Sequence, residues 1–176
     1  MRNGSGAPIF ESGALEPAGS IAGNANDSDP AQYEPHFERI DRADQVQIYE
    51  SIMVDSAGAP TTGLLAAVRY AKDNRLVPRG FQKDTAAREI AVLGGAASDA
   101  DFNGDGDRVR FEVAVGPREG PMRIEVELRF QAIGFRGAQN LKKYDAAEPR
   151  RFVGYYDAMA GVSSEVLARA SITTRN

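Results

Sequence analysis

The stretch "SDADFNGDGDR" (98–108) concentrates more metal-type oxygen donors than any other part of the chain. Counted from Asp99, the residues Asp101, Asn103, Asp105 and Asp107 fall at the third, fifth, seventh and ninth positions, with Gly104 at the sixth. That is the spacing of an EF-hand calcium loop, which also needs a bidentate glutamate at the twelfth position. Arg110 stands there instead, and a strand-like segment rather than a helix follows, so an EF-hand is excluded. A calcium site held by Asp99, Asp101, Asn103 and Asp105 in some other loop geometry remains as one reading. The other is a turn, because Asn, Gly and Asp tolerate the backbone angles that reverse a chain. The turn reading comes first. A second oxygen-rich segment, "GNANDSDP" (23–30), offers Asn24, Asp27 and Asp29 to the same kind of hard cation, and the metal reading gains if the two loops meet.

His36, in "YEPHFE", is the single histidine. One imidazole cannot build a zinc site, and no nucleophile motif accompanies it, so a catalytic triad is not indicated. It is read as a structural residue or as a contact to another domain. In "YAKDNRLVPRGF" (70–81), Lys72, Arg75 and Arg79 alternate with turn formers and aromatics. These bases would suit a carboxylate or phosphate at an interface, or they pair with acids of the same chain. Carboxylates are plentiful, but no spacing marks a catalytic pair, and no set of acid, base and nucleophile is assembled. The expectation is a protein that is not an enzyme.

The elements that must position these residues are mostly strands. Val109, Phe111, Val113 and Val115 alternate with polar residues in 107–115, as do Met122, Ile124, Val126, Leu128 and Phe130 in 122–131. Period two predicts half-buried antiparallel strands. With "GPREGP" (116–121) between them, the two segments are expected to pair as a hairpin. Residues 45–55, 61–74, 88–96 and 164–174 are read as further strands. Glu50, in the middle of the apolar face of 45–55, calls for a buried base, with Arg75 or Arg79 as the kind of partner it needs. One helix is expected over 148–161, with Pro149 in its first turn and Gly161 at its end. Residues 1–44, rich in Gly, Asn, Asp and Pro, read as loop-dominated. The fold class is therefore all-β: a single antiparallel, jelly-roll-like β-sandwich over 1–176 with one short helix near the C-terminus.

The chain's 176 residues suffice for one core. There is no cysteine, which removes disulfides, thiolate metal sites and covalent haem attachment. No apolar run reaches membrane-spanning length. Residues 1–60 carry ten acids and three bases, the remainder fifteen acids and eighteen bases. The bases lie among acids on strands, so nucleic-acid binding is not indicated. The N-terminus has no signal-peptide character and reads as a domain excised from a longer protein.

Taken in order, "FESGAL", "GSIAGNANDSDP", "YEPHFE", "QVQIYESIM", "TTGLL", "YAKDNRLVPRGF", "SDADFNGDGDRVRFEV", "FQAIGF" and "RRFVGYY" resemble a haem-free C-terminal region of some bacterial multihaem c-type cytochrome-like proteins. The resemblance spans about residues 6–172. It implies an exported, periplasmic setting, a β-sandwich accessory domain without haem of its own, and the haem-bearing part of the parent protein or a redox partner as its partner. Within the acidic loop it rests on Asp101, Phe102, Gly104 and Asp107, which favours a shared turn over a shared metal site. The function expected is a non-catalytic interaction domain. The alternative is a calcium-stabilised carbohydrate-binding sandwich, with calcium as its only cofactor.

Overall fold

The computed structural model describes residues 1–116 and 120–174. The chain forms two compact units, each assembled from separated stretches of sequence. One comprises residues 1–23, 42–44 and 113–176; the other comprises residues 24–41 and 45–112. The strand-rich, antiparallel character expected from the alternation is present in the β2–β4 and β6–β7 pairings. The described strands make three small sheets, of two, three and two strands, and more helix is present than expected.

The unit built on residues 24–41 and 45–112 opens with the short helix α1 (Ala25–Ser28) and strand β1 (Arg39–Ile40). Strands β2 (Ser51–Val54), β3 (Pro60–Thr61) and β4 (Arg69–Asp73) form a sheet in the order β3-β2-β4, antiparallel to β2 on both sides. Alternation holds in β2, where Ile52 and Val54 are buried and Ser51 and Met53 are not. Residues 61–74 divide, with a turn over 64–66 between two strands. The predicted strand at 88–96 reduces to short 3-10 turns at Arg88–Ile90 and Gly95–Ala97 and one bridge, Leu93 to Asp73. Val92, Ala96 and Phe102 form the core there, with Tyr49, Val77 and Phe81 packed on it.

Strand β5 (Arg110–Phe111) pairs in parallel with β1, and this overturns the predicted hairpin. The amide of Arg110 donates to the Glu38 carbonyl, and that of Glu112 to the Ile40 carbonyl. Residues 110–112 are thereby tied to residues 38–40, and the start of the segment is held by Tyr49 and Gln47, which donate to Asp107. The expected turn falls partly on residues 117–119, which lie outside the described residues.

In the other unit β6 (Arg123–Gln131) pairs instead with β7 (Ser164–Thr173), antiparallel, with a bulge that leaves Leu167 unpaired. Ile124, Val126 and Leu128 stand opposite Ile172, Ala170 and Ala168, so both strands contribute to one apolar face. That face is open: Val126 is 51% exposed, Phe130 54% and Ile172 64%. Helix α2 (Phe135–Leu141), which the sequence reading missed, packs against α3 (Ala147–Met159) around Ala138, Tyr156, Ala160 and Phe152. Pro149 sits in the first turn of α3 as expected. Gly161 does not end the helix by a left-handed turn; a Cβ there would come within 3.2 Å of the Pro17 carbonyl, so it serves a close approach of two backbones. No helix among the described residues is long and apolar enough to cross a membrane.

Candidate functional site

The polar chemistry of the chain converges on His36. Its side chain is 1% exposed, those of Asp99 and Asp107 4% and 1%. Four segments bring the cluster together: residues 34–38 before β1, residues 45–50 leading into β2, the end of β4, and the acidic turn. In "QVQIY" (45–49) Val46 is buried, while Gln47 and Tyr49 on the opposite face reach the cluster. Asn74, at the end of β4, is fully buried.

Nδ1 of His36 faces two amide donors, Gln47 Nε2 at 2.9 Å and Asn74 Nδ2 at 3.1 Å. Neither amide can be turned over. Gln47 Oε1 accepts the Phe37 N–H at 2.8 Å, and Asn74 Oδ1 accepts the Glu50 N–H at 2.9 Å, so each nitrogen must face the ring. Nδ1 is therefore the unprotonated nitrogen. The ring proton sits on Nε2, which donates to Asp99 Oδ2 at 3.0 Å. The remaining valences are also filled. Asn74 Nδ2 donates to the Ile48 carbonyl at 3.0 Å, and Tyr49 Oη–H donates to Asp107 Oδ2 at 2.6 Å. Asp99 Oδ1 accepts the Asp101 N–H at 2.8 Å. The Phe102 ring meets the imidazole edge-on at 5.3 Å between centroids.

Electrostatics agree with this arrangement. Burial works to raise the Asp99 carboxyl, but the His36 hydrogen bond, the Asp101 amide and the charge of Lys83 hold it below the usual carboxylate range. Burial, and the Asp107 carboxylate that accepts its proton, push the Tyr49 hydroxyl well above its ordinary value. Lys83 Nζ caps the turn by donating to the Ala96 and Asp99 carbonyls.

His36, Asp99 and Asp107 offer ligand atoms within 4.8 Å of one another, close enough to share an ion. The outer partners, however, have the wrong polarity. A histidine that binds metal through Nε2 carries its proton on Nδ1 and hands it to an acceptor; here Nδ1 meets two donors. The same geometry forbids a proton relay, since Nδ1 is occupied and Nε2 is directed into Asp99. What the cluster can do is join four segments through groups that are all satisfied.

Of the seven expected metal ligands, Asp99 alone belongs to this convergent set. Asn103 Oδ1 accepts the Asp105 N–H at 2.8 Å, an Asx-turn, and residues 103 and 106 bridge each other. Asp101 and Asp105 lie 3.7 Å and 3.8 Å from Arg108 and Arg79 on the exposed side. The other acidic loop turns on itself: Asn24 caps α1 by accepting the Asn26 N–H, and Asp29 accepts from Ala31 and Gln32. The charge of Asp27 adds to the pressure raising the Glu50 carboxyl.

The interface expectation changes as well. His36 and Lys72 are closed to solvent, so neither is available to another domain. Lys72 Nζ donates to Glu50 Oε1 at 3.1 Å and to the Ile48 carbonyl at 3.0 Å. It is the buried base that Glu50 demanded, in place of Arg75 or Arg79. Burial raises Glu50 and lowers Lys72, each opposed by the charge of the other. Arg75 makes a two-pronged pair with Asp73, and Arg79 is 93% exposed. Gln47, Tyr49, Asn74 and Asp107 were not singled out as site residues from sequence. For Gln47 and Tyr49 the signal was the polar face of 45–50, which alternation marks as a face without saying that it is buried.

Comparison with known protein families, curated proteins and solved structures found no match.

Proposed function

We propose that this chain is a non-catalytic interaction domain of a larger exported redox protein, docking to the haem-bearing part of its parent or to a redox partner. One observation carries the non-catalytic part: the residues best suited to chemistry are closed, mutually saturated and locked in a tautomer that neither moves protons nor takes a metal through Nε2. The unit formed by residues 1–23, 42–44 and 113–176 presents instead the open apolar face of the β6–β7 ribbon, with Val126, Phe130 and Ile172 exposed. Contiguous apolar surface of that kind marks contact surfaces. The redox setting rests on the sequence resemblance.

The test has two parts. The parent gene is expected to encode C-x-x-C-H haem motifs; their absence overturns the cytochrome association. The isolated haem-bearing region is then titrated with this chain and with V126D/I172D. Saturable binding by the native chain that the variant weakens at least tenfold supports docking through the ribbon, and equal binding by both overturns it.

A further inference from the structure

A second surface, in the other unit, carries different chemistry. The connection from β3 to β4 takes the chain from one side of β2 to the other, and it holds Leu64 at 79% and Leu65 at 105% of full exposure. These leucines are presented by an ordered turn. The Gly63 carbonyl accepts the amides of Ala66 at 3.0 Å and Ala67 at 3.1 Å, the Gly63 amide donates to Thr61 Oγ1, and the Val68 amide is tied to the Val54 carbonyl of the sheet. Val68, at 62% exposure, continues the apolar surface toward β4.

Residues 56–68 are thirteen in a row without a charge. At the foot of the turn stand Arg69, exposed and with its side chain in no ion pair or hydrogen bond among the described residues, and Tyr70, 42% exposed. Apolar tip, then an amphipathic ring and a free cation, is the order of chemistry met on passing from acyl chains to headgroups.

We propose that the 62–70 turn is a lipid-surface contact: Leu64 and Leu65 enter the acyl boundary of a bilayer, and Arg69 meets a headgroup phosphate. A convex tip whose leading side chain touches nothing suits a fluid medium, which needs no matching shape. A protein interface typically surrounds its apolar core with a polar rim that carries about one hydrogen bond per 100–200 Å², whereas residues 56–68 bear no charge. The contact is peripheral, made by two inserted leucines and one arginine at the headgroup level.

The chain has no tryptophan, so L65W supplies a single reporter at a position with no packing to disturb. Vesicles of phosphatidylcholine, with and without a quarter of phosphatidylglycerol, are expected to shift its emission to the blue. In flotation assays L64S/L65S is expected to lower partitioning of the otherwise native chain about a hundredfold, by keeping two leucines in water. R69Q is expected to lower it several-fold and to flatten its dependence on salt. Loss with both vesicles in L64S/L65S supports insertion. No blue shift and no flotation at millimolar lipid, or flotation unchanged in L64S/L65S, overturns it, as does a tip that binds only a protein.

Discussion

Replacing His36 with leucine keeps apolar bulk in the pocket and removes both ring nitrogens, which makes it the sharpest probe of the cluster. Three partners each lose one hydrogen bond: the Asp99 carboxylate, which loses the Nε2–H at 3.0 Å, and one N–H each of the Gln47 and Asn74 amides. A buried donor or acceptor left unsatisfied costs about 1–3 kcal/mol, and a charged one more. The edge-on contact with Phe102 adds about 0.5–1.5 kcal/mol. Some relaxation offsets these, so the expected loss is about 3–5 kcal/mol, a large share of the roughly 5–15 kcal/mol that holds a domain folded. Urea denaturation followed by circular dichroism reads it as a lowered midpoint at unchanged slope. Because the chain has one histidine, a long-range nitrogen–proton NMR spectrum of the native protein also reads the tautomer without ambiguity. A loss under about 1 kcal/mol, against about 1–3 kcal/mol for a single orphaned group, refutes the energetic reasoning. A protonated Nδ1 at neutral pH refutes the geometric one.

Four further outcomes are expected. G104A should destabilise by about 1–3 kcal/mol in the same urea assay, since a Cβ there meets the amides of Gly80 and Phe81 at 2.8 Å and the Pro78 carbonyl at 2.9 Å; an unaffected midpoint would show that the corner yields freely. K72M should cost about 3 kcal/mol by leaving Glu50 without its counter-charge, and K72M/E50L should cost less than K72M alone; additive losses would refute the pairing. The Asp99 carboxyl is held low in the folded state, so its stabilisation is complete above the ordinary carboxylate range and is lost as pH falls through the folded value. D99N should therefore flatten the acid limb of stability as pH falls through and below the ordinary carboxylate range, and a limb of native steepness counts against the assignment. Millimolar calcium should leave the melting temperature within about 1 °C, because ligand binding to the folded state raises it and the acidic turn is satisfied by its own backbone; a larger rise would restore the metal reading.

The acidic turn shows how far local pattern carries. Residues 98–108 specify a turn, and the Asx hydrogen bonds of Asp99 and Asn103 are what such a composition predicts. Composition also foretold a loop-rich start, and periodicity foretold β7, α3 and the strand character of β6. Glu50's need for a buried base followed from one carboxylate on an apolar face. These features depend on neighbours within a few residues, so they are legible along the chain.

Which strand meets which was not legible. The alternation of 107–115 and 122–131 suits a hairpin as well as it suits the pairings that form, and period two says only that a face exists. The choice was made by long-range contacts: Asp107 is held by Tyr49, and the following residues by 38–40, while β6 finds its complement some forty residues on in β7. His36 shows the same division. Sequence makes it a lone histidine; its tautomer depends on amides 11 and 38 residues away whose orientation is fixed by backbone groups elsewhere. Local propensity acts through bonds near in the chain, whereas protonation state and strand partner are set by atoms near in space.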